Sequence, residues 1–247
     1  MVIRGISTFF LLLVGATAVG AVLAAIGAGA VLVAGVVLVV LGGWAVSLCL
    51  HEFGHAAVAY RGGDTSVREK GYLTLDIRRY TDVGLSFVLP VFFLLLGGIP
   101  LPGGAVWINH WAIRSRAVQS LVSLAGPLAN LAIGIVLTIA VASVPMPFGL
   151  TIGLSCLALI QVLAFVLNIL PVPGLDGFGV VEPYLSRDTQ ALAAKVRPWA
   201  PIVLFLLIVG LPGVAQIFFD LSTFVFGLIG GDAEAAGSGY RLLFFWR

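Results

Sequence analysis

The 247 residues are 60% hydrophobic and 10% charged, with a mean hydropathy of +1.14. A soluble domain carries ~25% charged residues, so the composition excludes an ordinary soluble fold and predicts an all-α integral membrane protein of about five to six spans, without room for an appended soluble domain. The net charge of +2 defines no partner, no basic aromatic surface points to nucleic acid, and the two cysteines, Cys49 and Cys156, sit in apolar runs that imply no disulfide framework.

Ile6 to Ile26 is the first apolar segment, preceded by Arg4. Ala16-Thr17-Ala18 resembles a signal-peptide cleavage site, but the apolar character runs on past it, which favours an uncleaved helix. Gly27-Ala28-Gly29 is a short uncharged turn, and small residues on both sides allow close helix packing.

Val31 to Tyr60 is the second helix, long enough to cross hydrocarbon before its first charge. It carries His51-Glu52-Phe53-Gly54-His55, the pattern H-E-x-x-H. Four residues apart on a helix, His51 and His55 project from one face, one turn apart. Two imidazoles so placed can grip one zinc ion, with Glu52 beside them to act on a metal-bound water. Ionisable groups inside a span are costly and mark function. His51 lies ten residues before Arg61, ~15 Å of helix rise, so the metal belongs inside the membrane near one face. Cys49 points away from the ligand face and reads as packing.

Arg61 to Asp82 is polar and holds Arg61, Arg68, Lys70, Arg78 and Arg79, which places it on the cytoplasmic side. Leu85 to Ile99 is apolar but short, and Pro90, Gly97-Gly98, Pro100 and Pro102 break it. Gly103 to Asn109 reads as extended. His110 follows as an interfacial histidine without matched partner spacing.

Ser120 to Val144 and Leu150 to Leu170 are the next two spans. The second ends in Asn168-Ile169-Leu170-Pro171-Val172-Pro173-Gly174-Leu175-Asp176-Gly177, where the prolines and glycines unwind the helix. Irregular backbone at this depth is tolerated only beside protein or a water-filled cavity. A two-histidine zinc site wants a third protein ligand and an open position, and Asp176 is the best candidate. Asn168 either contacts a substrate or caps unwound carbonyls. Asp176 must reach the depth of His51, and two spans return the chain to the same side. A third crossing would strand it, so Leu85–Ile99 is expected to be re-entrant, which also keeps Arg114, Arg116, Arg187, Lys195 and Arg197 inside. Trp199 to about Phe219 is read as a last span, Leu221 to Ile229 as interfacial, and 231–247 as a flexible tail. Residues 1–230 then form one membrane domain with a core at about 44–211.

The H-E-x-x-H stretch, followed by Asn168-x-x-Pro171-x-Pro173-x-Leu175-Asp176-Gly177, resembles the site-2 protease family of intramembrane zinc metalloproteases. Leu124-Ala125-Gly126-Pro127-Leu128-Ala129-Asn130 is similar to the family's recurring segment between the two. The resemblance covers roughly Trp44 to Leu211. It implies one zinc held by His51, His55 and Asp176, Glu52 as the catalytic base, a membrane-embedded protein substrate, and an extended segment near Gly103–Asn109 that pairs with substrate. Many family members carry a PDZ or CBS domain, and this chain, with room for neither, is expected to be a minimal form, in the cell membrane, with its active site near the cytoplasmic side where the basic residues lie. Two other readings are a catalytically silent zinc-binding scaffold, against which Glu52 argues, and a metal-ion transporter, which would need polar residues along a through path. A variant of the protease reading takes Glu182 as the downstream ligand.

Overall fold

The structure, a computed structural model, describes residues 6–79 and 106–246. The described residues are helical and contain no β-strand. The first helix, α1 (Thr8–Ile26), begins where the Ser7 hydroxyl accepts the Phe9 N–H. Helix α2 (Ala30–Gly62) is 33 residues long, ~50 Å at 1.5 Å per residue. The two form a tight hairpin around the turn at Gly29. A Cβ on Gly35 would lie 2.3 Å from the Ala24 nitrogen, and one on Gly20 would lie 2.7 Å from the Val39 nitrogen. Only glycine lets the backbones approach so closely. Helix α1 buries just Gly20 and Ala24 and turns Leu12, Val22 and Ile26 outward, as a helix against lipid does.

Helix α2 stops at Gly63, whose φ of +125° favours glycine. Its last carbonyls are held from outside the helix. Arg114 donates its backbone N–H to the Gly62 carbonyl at 3.0 Å, and its guanidinium reaches the Gly62 and Arg61 carbonyls. A cation here also suits the negative end of the helix dipole. A short helix, α3 (Ser66–Glu69), follows. Helix α4 (Arg116–Ser143) starts where Ser115 accepts the Val118 N–H. Its origin therefore sits beside the same end of α2 as Arg61. Residues 85–99, expected to be re-entrant, lie outside the described residues. The expected extended stretch is described only from Val106 on; it is non-helical, with Asn109 in extended backbone. Pro127 falls in the interior of α4 rather than in its first turn, because the Ser115 cap starts the helix eleven residues earlier.

Helix α5 (Phe148–Asn168) is the central element, packed against α1, α2, α4 and the C-terminal helices. Ile152, Ile160, Leu163 and Leu167 are buried on it. Beyond its end come α6 (Asp176–Val181), α7 (Arg187–Val196) and α8 (Ala200–Gly210), the last two bent by 60°. Among the described residues, four helices, α1, α2, α4 and α5, are long and apolar enough to cross a membrane; the bent α7–α8 pair brings the number to five if it is one span.

The C-terminal region departs from expectation in two ways. The span expected over Trp199–Phe219 is divided at Leu211, and α9 (Pro212–Leu228) takes in the residues expected to lie at the interface. Proline at the first position of a helix starts it without losing a hydrogen bond, and the 11 residues of α8 cover only ~17 Å. The stretch read as a flexible tail contains α10 (Ala233–Leu243), capped by Asp232, whose carboxylate accepts the Glu234 and Ala235 N–H groups. Its Ala236, Gly239 and Leu243 are buried, and a Cβ on Gly239 would lie 2.2 Å from the Ile152 carbonyl oxygen of α5. Small residues made this stretch look polar, yet they give α10 the close face by which it docks.

Candidate metal centre

Helical spacing places His51 and His55 on one face of α2, directed at α4 and α6. His51 and His55 are 4% and 6% exposed. Their Nε2 atoms are 3.1 Å apart. Asp176, the first residue of α6, brings its carboxylate to 3.2 Å from His51 Nε2 and 3.4 Å from His55 Nε2. Helix α6 is fixed against α4, where Ser120 donates to the Val180 carbonyl at 2.6 Å and Gly179 lies over Ser123. A Cβ on Gly177 would lie 2.0 Å from the Ile169 carbonyl oxygen, so the turn that presents Asp176 can close only with glycine there.

The other ring nitrogens decide what these three groups can bind. His55 Nδ1 lies 2.6 Å from the Val122 carbonyl oxygen. A carbonyl only accepts, so Nδ1 carries a proton, and in the neutral ring Nε2 is left with the lone pair a metal takes. His51 Nδ1 donates to Asn130 Oδ1 at 2.7 Å, and Asn130 Nδ2 in turn donates to Gln161 Oε1 at 3.2 Å. With the rings neutral, both Nε2 atoms are acceptors facing a carboxylate. Asp176 Oδ2 is buried and receives no hydrogen bond. Three buried acceptors at this distance repel unless protons or a cation lie between them.

The spacing fits a metal. Ligand atoms ~2.0–2.1 Å from zinc at tetrahedral angles lie ~3.3 Å from one another. Among the described residues, these three form the group able to hold a metal ion. Room for an ion is kept by Gly126 of α4: a Cβ there would lie 2.2 Å from His55 Nε2 and 2.6 Å from His51 Nε2. Imidazole, imidazole and carboxylate, with the second nitrogens fixed by oxygen acceptors, is a donor set that zinc accepts.

Glu52 is 4% exposed, and its Oε2 accepts the Val106 N–H at 3.1 Å. Beside the metal group a cleft of about 200 Å³ opens, lined by His55, Val106, Ile108, Val122 and Asp176 and also by His110, Glu182 and Arg197. His110 is exposed and stands apart from the metal group. Glu182 pairs with Arg197 and also stands apart from it. Asn168 ends α5, with Nδ2 donating to the Ala164 carbonyl at 3.0 Å and Oδ1 buried without a partner; it is not among the residues lining the cleft.

Sequence reading assigned no role to Gly126, Asn130, Gln161 or the Val106 N–H. A signal for two of them existed. Gly126 and Asn130 are four apart on α4, as His51 and His55 are on α2, so each pair shares a helix face.

Comparison with known proteins agrees with this geometry. The description of peptidase family M50 matches residues 36–153, which include the histidine pair and Asn130 but end before Asp176. Proteins named "Putative zinc metalloprotease Rip2" are similar over nearly the whole chain. That of Mycobacterium tuberculosis (strain H37Rv) is 44% identical over 245 residues, and that of Mycolicibacterium smegmatis 41% over 246; each match covers 97% of this chain and 94% of the relative. The similarly named YwhC of Bacillus subtilis is 29% identical over 174 residues, 66% of this chain and 77% of its own length. No solved structure matches. The chain belongs to peptidase family M50, the site-2 protease family.

Proposed function

We propose that this chain is an intramembrane zinc metalloendopeptidase that hydrolyses peptide bonds of membrane-spanning proteins, with His51, His55 and Asp176 as the metal ligands and Glu52 as general base. The observation that carries the reading is the convergence of two buried imidazole Nε2 atoms, 3.1 Å apart, on the Asp176 carboxylate, whose Oδ2 lies 3.2 Å from His51 Nε2 and whose Oδ1 lies 3.4 Å from His55 Nε2. Zinc held there supplies a Lewis acid and lowers the pKa of a water to ~7.

Every other part of the work falls to the chain. Glu52, one residue along the helix from His51, takes the proton of the attacking water and returns it to the leaving amine. The Val106 N–H holds its carboxylate in one orientation. The cleft beside His55 and Asp176 admits water and a locally unwound peptide, since an intact helix hides its carbonyls. Helix-breaking residues in the substrate favour cutting for that reason. Asn168 keeps its amide N–H on the Ala164 carbonyl and lies outside the cleft lining, so it is assigned no substrate or oxyanion contact. The unit from about residue 44 to 211 carries these groups. Arg61, Arg114 and Arg116 gather at the end of α2 nearest the site, which supports a cytoplasmic orientation in the cell membrane.

The test is metal content by mass spectrometry on detergent-purified protein, joined to cleavage of a single-span reporter. Wild type is expected to hold near one zinc per chain, Asp176→Ala to lose most of it, and Glu52→Gln to keep zinc while losing cleavage. A Glu52→Gln protein with full cleavage, or an Asp176→Ala protein with full zinc, overturns the assignment.

A further inference from the structure

One buried carboxylate lies outside the metal group and binds the same peptide segment as Glu52. Asp64, two residues past the end of α2, is 1% exposed. A carboxylate so buried is costly unless donors surround it. One oxygen accepts the Ser66 N–H at 3.0 Å and the Ser66 hydroxyl at 2.6 Å; the other accepts the Asn109 N–H at 2.7 Å. The last bond spans 45 residues of chain, and charge-assisted bonds of this length are the strong ones.

The segment 106–109 is therefore held from α2 at both ends. Glu52 takes the Val106 N–H at the depth of the metal group, and Asp64 takes the Asn109 N–H at the polar end of the helix. Between them Lys70 reaches the Trp107 carbonyl at 3.4 Å and covers the Trp107 ring at 3.8 Å. Val106 and Ile108 line the cleft beside His55 and Asp176. Ser66 alone explains a carboxylate that shapes a turn. It does not explain why the second oxygen is spent on Asn109.

We infer that Asp64 is a positioning residue: by accepting the Asn109 N–H it fixes 106–109 along α2, so that Glu52 keeps its bond to Val106 and the cleft keeps its Val106–Ile108 wall. The inference rests on the protease reading for its effect on catalysis, but its structural half stands apart from that reading. Asp64 acts through the segment and touches neither the metal ligands nor the reacting atoms.

The experiment uses the full chain in detergent, loaded with zinc. Deuterium exchange is followed on peptides covering 106–109 and 64–70, together with kcat and KM on a single-span fluorogenic reporter carrying a central Gly-Asn pair. Asp64→Ala is expected to speed exchange over 106–109 and to lower kcat/KM by about 10- to 100-fold, the loss of one hydrogen bond to a charged group, with zinc content unchanged. Asp64→Asn, which keeps an oxygen for Asn109, is expected to restore most of both. Ser66→Ala is expected to disturb 64–70 and leave 106–109 protected.

Should Asp64→Ala fail to fold, Asn109→Pro removes the same N–H without touching Asp64. The φ of −82° at Asn109 is close to proline's range. Asn109→Ala, which removes only the side-chain bond to the Trp111 N–H, controls for the lost side chain in the exchange measurement. Unchanged exchange over 106–109 in Asp64→Ala and Asn109→Pro overturns the inference, as does a Ser66→Ala protein that reproduces their exchange and kinetics. Absence of cleavage by the zinc-loaded wild type overturns the protease reading instead and leaves the exchange result to decide the tether.

Discussion

At the scale of single residues, the site depends as much on what is small and on what faces backward as on the ligands. Gly126→Ala puts a methyl where both Nε2 atoms converge. Alanine is the better helix former by ~1 kcal/mol, so α4 is expected to stay intact while zinc content falls to near zero by mass spectrometry. A variant that binds zinc normally would show that the histidines face elsewhere. Asn130→Ala removes the acceptor that fixes the His51 proton on Nδ1 and leaves Gln161 Oε1 without its donor. Loss of such an outer partner weakens metal binding by ~10- to 100-fold, measured by competition with a chelator, and Asn130→Asp should recover most of it by restoring an oxygen. The H-E-x-x-H histidines and Asp176 were legible as ligand candidates because their chemistry is rare in an apolar chain. Asn130 was not, because its role depends on which ring nitrogen it meets across 79 residues of sequence.

At the scale of elements, close backbone contacts and caps decide the packing. Gly35→Leu would drive a side chain into the backbone of α1 at Ala24. Overpacking of this kind costs ~1–3 kcal/mol. Gly35 is sixteen residues from His51, ~24 Å along α2, so the melting temperature is expected to fall while zinc stoichiometry holds. The segment after α3 is secured by Asp76, whose carboxylate accepts two bonds from the Arg78 guanidinium, both at 2.8 Å. The Arg78 bonds hold the Asp76 carboxyl below its ordinary range. A depressed folded-state pKa gives stability that is present above the unfolded value of ~3.9 and is lost as pH falls through the folded one. Arg78 is half exposed, so solvent screens the pair and its contribution is small. Wild type should out-melt Asp76→Asn by a similar margin from pH 8 to pH 5, and the margin should close in stronger acid.

At the scale of the whole molecule, the helices set which end of the bundle holds the chemistry. Cys49 and Cys156 are fully buried, so a cysteine added at an exposed position can be labelled against a quiet background. Asp188→Cys, at the start of α7, is expected to react from the cytoplasmic side, and Ser143→Cys, at the far end of α4, from the opposite side. Reaction of both from one side would reject the two crossings that bring Asp176 to His51. Removal of 232–247 takes away α10 and exposes α5 around Ile152 and Cys156. A flexible tail would be lost without consequence; a docked helix would not, and the truncated chain is expected to melt several degrees lower.

The sequence by itself determined the membrane class, the long apolar helices and the shared helix face of His51 and His55, and it singled out Asp176 as the candidate to meet them. These rest on local quantities: apolar length, a four-residue period, and charges too costly to leave in lipid without a use. Only the tertiary structure decided which oxygen each imidazole Nδ1 meets, that Gly126 keeps the site open, that Val106 and Asn109 are held by Glu52 and Asp64, and that α10 is a packed helix. Each of those depends on a partner 45 to 87 residues away in the chain. No local period records such a partner, because helix packing selects it only after the helices have formed.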